Sequence, residues 1–372
     1  MADFPGLERD DATAFVIGDY AYVGTGRDVG YQYCRDFYAY HIKENKWHKI
    51  KDFPGDGRQY CSSFVLNGKG YVIGGVNASN YFYNELWEYN PSTDTWQQKA
   101  SLPADGRAAG IALHFGNKAY YGSGRNANSL FNDWWEYNAE SDSWLKKSDF
   151  PCEPFFESIG FSLNNKCYVG LGKTNNYYLK NIWQYDTLSN TWIHQSELPF
   201  GLTYASAINL ELKAYIVTGQ KDNSDFFSEV LEYNSITQTW TSVSNYPSIP
   251  IRGSVVFSSK DAIYIATGLN QNFQRSKELW KFTPEKTYGN KEYIIYPAID
   301  KNEIKLYYSF SDSLSSYSFS LFDLQGKTIH FDTLNPLENF YYSVYTESTL
   351  PLILIIRKNE EIIYRSILQI AQ

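Results

Sequence analysis

One stretch of the chain carries the pattern that decides the fold, residues 60–96, which read YCSSFVLNGKGYVIGGVNASNYFYNELWEYNPSTDTW. The stretch contains four short segments rich in aromatic and β-branched residues, which favour strands. Asn67-Gly68-Lys69 suits a tight hairpin turn, and Gly74-Gly75 ends the second segment, where a positive φ or a close approach requires glycine. No segment of ten residues keeps a helical period. The stretch therefore predicts an antiparallel sheet of four strands.

The same residues recur at nearly constant spacing through most of the chain. Five tryptophans lie 48 or 49 residues apart, and a proline follows each one seven residues later. The tryptophans are Trp47, Trp96, Trp144, Trp192 and Trp240, and the prolines are Pro54, Pro103, Pro151, Pro199 and Pro247. A tyrosine column extends the repeat to six copies, with Tyr22, Tyr71, Tyr120, Tyr168, Tyr215 and Tyr264. Six sheets, each with two apolar faces, predict a six-bladed β-propeller in which every face is buried against a neighbour.

The motifs inside each copy resemble the kelch repeat. The resemblance is carried by the tyrosine after the turn, by the glycine four residues later, and by the tryptophan that follows a turn such as Asn90-Pro91-Ser92-Thr93. It covers residues 1 to about 285 and implies a six-bladed kelch β-propeller over residues 1–286. Two departures are visible. Gly74-Gly75 is the only double glycine in its column, and Leu231 replaces the strand-three tryptophan of the fifth copy.

The two ends of the repeat region predict how the ring closes. Pro5 belongs to the proline column, but its tryptophan would precede Met1, and the sixth copy has Gly289 where its own tryptophan would stand. In kelch propellers one terminus usually completes the blade that the other begins. We therefore expect residues 1–6 to be the tail of a closing strand and the natural chain to begin upstream. The alternative is that residues 287–296 fill the strand.

Beyond Pro284 the repeat ends, and a small C-terminal β-sandwich is predicted over residues 287–372. Its seven strands are predicted at residues 293–297, 304–310, 317–323, 327–331, 341–345, 352–357 and 362–368. Tyr296-Pro297, residues 321–327 and Leu350-Pro351 resemble the C-terminal sorting domain of the type IX secretion system. The family's Pro-Asn-Pro is here Pro297-Ala298-Ile299.

The sorting-domain resemblance implies a Bacteroidetes-type bacterium, recognition by the secretion machinery and an extracytoplasmic location. Export requires a signal peptide, and the residues after Met1 include neither a basic nor an apolar leader region. This agrees with a chain that begins upstream of the residues given. The alternative is a cytoplasmic protein that is complete as written.

Charge and metal-ligand content argue against several classes of function. The chain has 33 basic and 41 acidic side chains and a formal net charge of −8, which disfavours nucleic acid as a partner. No apolar run reaches the length of a membrane span. Its four cysteines and five histidines show no zinc or copper spacing, so we predict no metal and no cofactor.

Basic residues recur where the loops of a propeller gather around its axis. Four residues after the column prolines stand Arg9, Arg58, Arg107, Phe155, Thr203 and Ile251, with Arg252 next to the last. After the column glycines stand Arg27, Val76, Arg125, Lys173, Gln220 and Leu269. Because arginine binds carboxylate or phosphate in a bidentate manner, we predict a ligand-binding face formed by these seven cations with Phe155 and Tyr60. The alternative is that the arginines form structural salt bridges.

Two classes of function are compatible with this face. The first is a non-catalytic binding protein that recognises a glycan, including an acidic one, or a protein partner. The second follows from a resemblance to the bacterial N-acetylneuraminate epimerase, a six-bladed kelch protein, which implies a sialic-acid mutarotase. Glu157 is then the candidate acid–base residue, with Arg107 or Arg252 as the anion clamp. We favour binding, because a fold alone does not carry a function. Either site requires Glu157 to face a cavity bordered by Arg58, Arg107 and Arg252.

Overall fold

The computed structural model describes residues 1–163, 166–210, 213–234, 238–284, 293–300, 303–310, 316–323, 325, 327–334, 341–345 and 352–368. Every regular element in these residues is a strand, and all strand pairs are antiparallel. The all-β class expected from the sequence is confirmed. The chain divides into two compact units, Met1–Pro284 and Glu285–Gln372.

The first unit contains, in its described residues, six sheets that follow one another along the chain. In each sheet the strands pair in sequence order. The strands of sheets one to three are Thr13–Ile17, Tyr20–Gly24, Phe37–His41 and Lys46–Lys49; Gln59–Leu66, Lys69–Val76, Leu86–Asn90 and Thr95–Lys99; and Ile111–Phe115, Lys118–Gly122, Trp134–Asn138 and Ser143–Lys146. Those of sheets four to six are Ile159–Leu163, Lys166–Gly170, Asn181–Asp186 and Thr191–Glu197; Ser206–Leu210, Lys213–Val217, Glu229–Asn234 and Thr239–Asn245; and Val255–Ser258, Ile263–Ala266 and Leu279–Phe282.

The first strands of the six sheets surround a central channel. Each packs beside the first strand of the next sheet, and Val255–Ser258 packs beside Thr13–Ile17, so the ring is closed. Three two-residue ladders lie beyond one end of these strands: Arg9–Asp10 with Arg27–Asp28, Leu202–Thr203 with Gln220–Lys221, and Ile251–Arg252 with Leu269–Asn270. We call this end of the channel the mouth. This arrangement of sheets around a channel is that of a β-propeller.

The core lies between neighbouring sheets. Phe15 and Phe37 of sheet one, for example, pack with Val72 and Tyr89 of sheet two. In sheets two to four the column tryptophan also anchors the connecting segment that precedes the sheet. In sheet two, the Trp96 indole N–H donates to the Lys51 carbonyl at 3.0 Å. Trp144 and Trp192 form equivalent hydrogen bonds, to the carbonyls of Ala100 and Ser148.

Residues at the N-terminus join sheets six and one. The Phe4 backbone N–H donates to the Lys277 carbonyl at 2.8 Å, and its side chain, 1% exposed, packs edge-on against Tyr38 and Trp47. Three strands of sheet six lie in the described residues. Residues 287–292 of the alternative closing strand, Gly289 among them, lie outside the described residues, whereas residues 293–296 belong to the second unit. The upstream start therefore stays a prediction.

The second unit contains two sheets in its described residues. One consists of Tyr293–Asp300, Glu303–Phe310 and Tyr341–Tyr345, and the other has the order Thr328–Leu334, Tyr317–Phe322, Leu352–Lys358, Glu361–Leu368. Leu352, Leu354 and Ile356 alternate with less buried residues, so one face of the second sheet is covered. Leu324, Gly326, Leu350 and Pro351 of the sorting-domain resemblance lie outside the described residues. Within the part of the chain that is described, no helix could cross a membrane.

Candidate functional site at the mouth of the channel

Three of the arginines predicted to contact a ligand are instead buried inside the sheets: Arg9, Arg58 and Arg107. Arg107 shows the arrangement. Its Nε donates to the Asp105 carbonyl at 3.3 Å, its Nη1 donates to the Ser123 carbonyl at 3.2 Å, and both Nη atoms bond the Asp133 carboxylate. The guanidinium also lies over the Phe131 ring, 4.0 Å from its centroid. Because its hydrogen bonds are committed to the protein, the ligand role predicted for these three arginines is corrected to a structural one.

The same place is apolar in the other three copies. A main-chain hydrogen bond identifies the equivalent residue in every copy, because the N–H of each column glycine donates to the carbonyl of that residue in the next copy. In order around the ring, the accepting carbonyls belong to Arg58, Arg107, Phe155, Leu202, Ile251 and Arg9. The counterpart in the fifth copy is therefore Leu202. Thr203 was assigned wrongly, because the segment after Pro199 is one residue shorter than the others. Phe155, predicted as a ligand contact, is 1% exposed and packs against Phe150. It is corrected to a core residue.

Two residues further along, each copy places one residue with a positive φ at the mouth. These six residues, which we call the axial ring, are Asp11, Tyr60, Ala109, Glu157, Tyr204 and Gly253, with φ between 53° and 60°. Backbone N–H groups of the ring donate to carbonyls of the preceding ring residue in five places, at 2.9–3.1 Å. The ring centroids of Tyr60 and Tyr204, from sheets two and five, lie 6.3 Å apart. Side chains from distant copies therefore meet at the axis.

The axial ring combines two carboxyl groups in different surroundings. Glu157 is 7% exposed; Lys173 Nζ lies 2.9 Å from its Oε2, and the Thr203 hydroxyl donates to the same oxygen at 2.8 Å. Burial and the neighbouring Asp10 carboxylate raise the pKa of Asp11 well above its usual range. One carboxyl group is thus held by a cation, and the other favours its protonated form.

The two tyrosines of the axial ring retain their protons. Burial raises the pKa of Tyr60, and the adjacent Asp11 carboxyl raises it further. Burial and Glu157 raise the pKa of Tyr204 in the same way. Both phenols are therefore hydrogen-bond donors at the mouth at neutral pH.

Five cations surround the axial ring: Arg27, Arg125, Lys173, Arg252 and Arg275. Lys173 is paired with Glu157, and Arg275 Nε lies 2.6 Å from Asp10 Oδ1. Among the residues that the structure describes, the other three form no ion pair. The Nε atoms of Arg27 and Arg125 are buried without a hydrogen-bond partner, and Arg252 Nη1 donates to the Gln220 side-chain carbonyl at 2.5 Å.

Shared aromatic rings connect these cations. Arg252 and Lys173 lie 4.4 and 4.7 Å from the centroid of Tyr204. Arg27 and Arg275 both lie 4.9 Å from the centroid of Tyr31. Neither Tyr204 nor Arg275 was predicted from the sequence as a site residue. The backbone of Arg275 forms a β-bridge with Leu269, and the equivalent residues of the other copies are apolar or aromatic: Tyr33, Phe82, Leu130, Tyr178 and Phe226. An arginine in this otherwise apolar column was the feature of the sequence that could have indicated its role.

The channel below the axial ring is narrow. A cavity of about 210 Å³ is lined mostly by small residues, which come from all six sheets and include Ser158, the residue after Glu157. The lining of this channel includes neither Glu157 nor Arg58, Arg107 or Arg252, so the cavity expected beside Glu157 stays a prediction. Of its three expected arginines, Arg252 alone lies at the mouth, because Arg58 and Arg107 are buried in their sheets. In the described residues, no group of three or more His, Cys, Asp or Glu side chains is placed to hold a metal ion.

The fold is that of a β-propeller, and two comparisons with known proteins bear on it. The family model of the KLHDC2/KLHL20/DRC7 Kelch-repeats domain matches residues 4–158, so the chain contains kelch repeats. A solved structure titled "Structure of YjhT" superimposes with a TM-score of 0.67 and 15% sequence identity, over 77% of this chain and 98% of that chain. At this identity the likeness shows the fold alone. No curated protein matches the chain.

Proposed function

We propose that the protein binds an acidic sugar at the mouth of the channel, with the carboxylate of the sugar held by Arg27, Arg125 and Arg252. The observation that carries the proposal is that these three guanidinium groups form no ion pair among the described residues, although they surround a buried polar cluster. A buried or half-buried cation without a partner is unfavourable, and an anionic ligand would supply that partner.

The balance of charge at the mouth supports an anion. Five cations face the carboxyl groups of Asp10, Asp11 and Glu157, and the raised pKa of Asp11 reduces its negative charge. The mouth is therefore positive in a protein whose formal net charge is −8. Local positive charge of this kind attracts anions over short distances even when the whole molecule is acidic.

The remaining groups suit a polyhydroxylated ligand. Tyr60 and Tyr204 offer hydroxyl donors, and Glu157 offers a carboxylate acceptor for sugar hydroxyls. The ring of Phe156 lies 5.3 Å from the Arg125 guanidinium and 5.0 Å from Lys173 Nζ, so an apolar surface adjoins the cations. A few polar groups at an apolar rim are typical of small-molecule sites. A protein partner is the second candidate ligand of this face.

Calorimetric titration tests the binding proposal. The probes are N-acetylneuraminate and its methyl ester, which lacks the charge. The wild type should bind the acid and not the ester. Arg125→Gln and Arg252→Gln should each weaken binding about 10-fold or more, because a hydrogen bond to a charged group contributes about 1.5–3 kcal/mol. Arg35→Gln, which removes an exposed arginine outside the axial ring and its five cations, is the matched control. Equal binding of the ester would contradict the proposal.

Turnover at the same mouth is the second candidate function, and the contrast between Asp11 and Glu157 favours it. Glu157 is held by Lys173 and Thr203, whereas burial raises the pKa of Asp11, and two carboxyl groups in such different surroundings can serve as base and acid. Glu157 would accept the proton of the anomeric hydroxyl while Asp11 protonates the ring oxygen. The ring bond then breaks, a carbonyl forms, and reversal of these steps closes the ring on the other face.

Proton NMR of anomer exchange in N-acetylneuraminate separates turnover from binding. A mutarotase should accelerate exchange, and Glu157→Gln or Asp11→Asn should slow it at least about tenfold, which is about 1.4 kcal/mol of barrier. An exchange rate equal to that without protein, in a sample that binds the sugar, leaves binding as the function.

We also propose an extracytoplasmic location with export directed by the C-terminal unit. The support is the sorting-domain resemblance of its sequence. Fractionation of the native host, with a tag placed in a propeller loop, tests this point. A protein confined to the cytoplasm would contradict it.

A further inference from the structure

A second feature adjoins the mouth on one side. A groove of about 680 Å³ runs between sheets six and one, and its lining includes Val29, Tyr31, Ile249 and Phe273. These four apolar side chains are 42–73% exposed, and Phe273 is the most exposed of them. Exposed apolar residues grouped in one groove indicate a binding surface more strongly than scattered ones do.

The two aromatic residues occupy unfavourable backbone positions. Tyr31 and Phe273 both have a φ near 60°, which bulky side chains rarely adopt. Each is the fourth residue of a five-residue turn whose first N–H donates to the fifth carbonyl. The same turn in sheets two and five has Asn80 and Ser224 at this position. The strained aromatic residues thus occur where the turn borders the groove, and strain retained at a surface is characteristic of functional positions.

The groove is continuous with the cations of the mouth. Tyr31 lies under both Arg27 and Arg275, and Arg275 lines the groove while it is paired with Asp10. The other charged residues of the groove are acidic, except for a lysine that forms an ion pair. Asp3, Glu8 and Glu278 oppose Arg275 and Lys277, and Lys277 Nζ lies 3.3 Å from Glu8 Oε1. The mouth therefore suits a negative charge, whereas the groove does not.

We infer that the ligand is an acidic oligosaccharide, with its acidic sugar at the mouth and a neutral sugar in the groove against Phe273 and Tyr31. The inference rests on the proposed function and specifies its ligand. The apolar face of a sugar ring packs on an aromatic side chain, and the polar residues Asn270 and Gln274 of the same groove are available to its hydroxyls. A second acidic sugar is disfavoured by the three carboxylates.

Calorimetry with three probes tests this inference: N-acetylneuraminate, 3′-sialyllactose and α2,8-linked disialic acid. The wild type should bind sialyllactose about five-fold more tightly than the monosaccharide, which corresponds to one aromatic contact. Disialic acid should bind no more tightly than the monosaccharide. Phe273→Asn should abolish the advantage of sialyllactose and change monosaccharide affinity by less than about two-fold. Its thermal midpoint should not fall, because asparagine accepts this φ.

Ser224→Asn provides the matched control, since it introduces the same residue into the same turn away from the groove. It should keep the wild-type ratio of affinities. Equal affinity of the wild type for monosaccharide and trisaccharide overturns the oligosaccharide inference and leaves the proposed function intact. The same follows if Phe273→Asn keeps the full ratio. If neither sugar binds, the proposed function fails, and this inference fails with it.

Discussion

Replacement of Arg107 tests the structural role of the buried arginines. Arg107→Phe introduces the residue that the fourth copy has at the equivalent place, Phe155, but leaves the Asp133 carboxylate without its cation. The carbonyls of Ser123 and Asp105 also lose a donor. Removal of one partner from a buried pair costs about 3–5 kcal/mol. We expect the free energy of unfolding to fall by that amount.

The fourth copy also supplies the compensating change. It has Asn181 where the third has Asp133, and its apolar counterpart of Arg107 is fully buried. Arg107→Phe combined with Asp133→Asn removes the pair as a unit. The double variant should therefore lie within about 1 kcal/mol of the wild type, since apolar replacement of a buried ion pair is often neutral.

Urea denaturation followed by tryptophan fluorescence measures these effects on the propeller, because all ten tryptophans lie between residues 47 and 280. The reasoning is refuted if Arg107→Phe costs less than about 1 kcal/mol, or if the double variant is as unstable as the single one. The pH dependence is a further control. Bonds from Arg107 outweigh the effect of burial and keep the pKa of Asp133 below its usual value, so its stabilising contribution is lost as the pH falls through that lowered pKa.

Two other predictions concern the mouth and the seam. Because burial raises the pKa of Asp11, Asp11→Asn should match the stability of the wild type near pH 4 and exceed it at pH 7. The gain at pH 7 should be about 1.4 kcal/mol for each unit by which folding raises this pKa. Urea denaturation at both pH values measures it, and an equal stability difference at the two would contradict the prediction. Phe4→Ala should cost about 3–5 kcal/mol, because Phe4 is fully buried between sheets six and one. Leu7→Ala, at a 56% exposed position, is the control, and an equal loss in both variants would contradict the packing argument.

The spacing of aromatic residues, proline and glycine was sufficient to predict the fold, because each column serves the same packing role in every copy. Spacing did not reveal which way an arginine points. Arg58 and Arg252 both follow the proline column, yet the first is buried under its own sheet and the second faces the axis. The distinction depends on a shift of one residue along the strand, which alternates side chains between environments. Tyr204 was missed for a related reason, because the fifth copy is one residue shorter.

Asp133 shows a second limit of the sequence pattern. Its pairing with Arg107 spans 26 residues and joins a loop to the start of a third strand. Acidic residues are common in the chain, so composition could not identify the partner. The two groups meet because the third strand of the sheet runs back beside the segment that contains Arg107. In the sequence, this proximity was visible only as a constant number of residues between the two positions.

The axial ring has a consequence for how this surface can change. Its backbone geometry is the same whether the residue is Asp, Tyr, Ala, Glu or Gly, because main-chain hydrogen bonds and the positive φ define it. The ring thus contains six equivalent backbone positions, and the side chain at each can differ without a change in the backbone. Ala109 occupies one of them and has the smallest side chain apart from Gly253. Ala109→Asn would introduce a new polar group at the axis, so new specificities are accessible through single codon changes at these six positions.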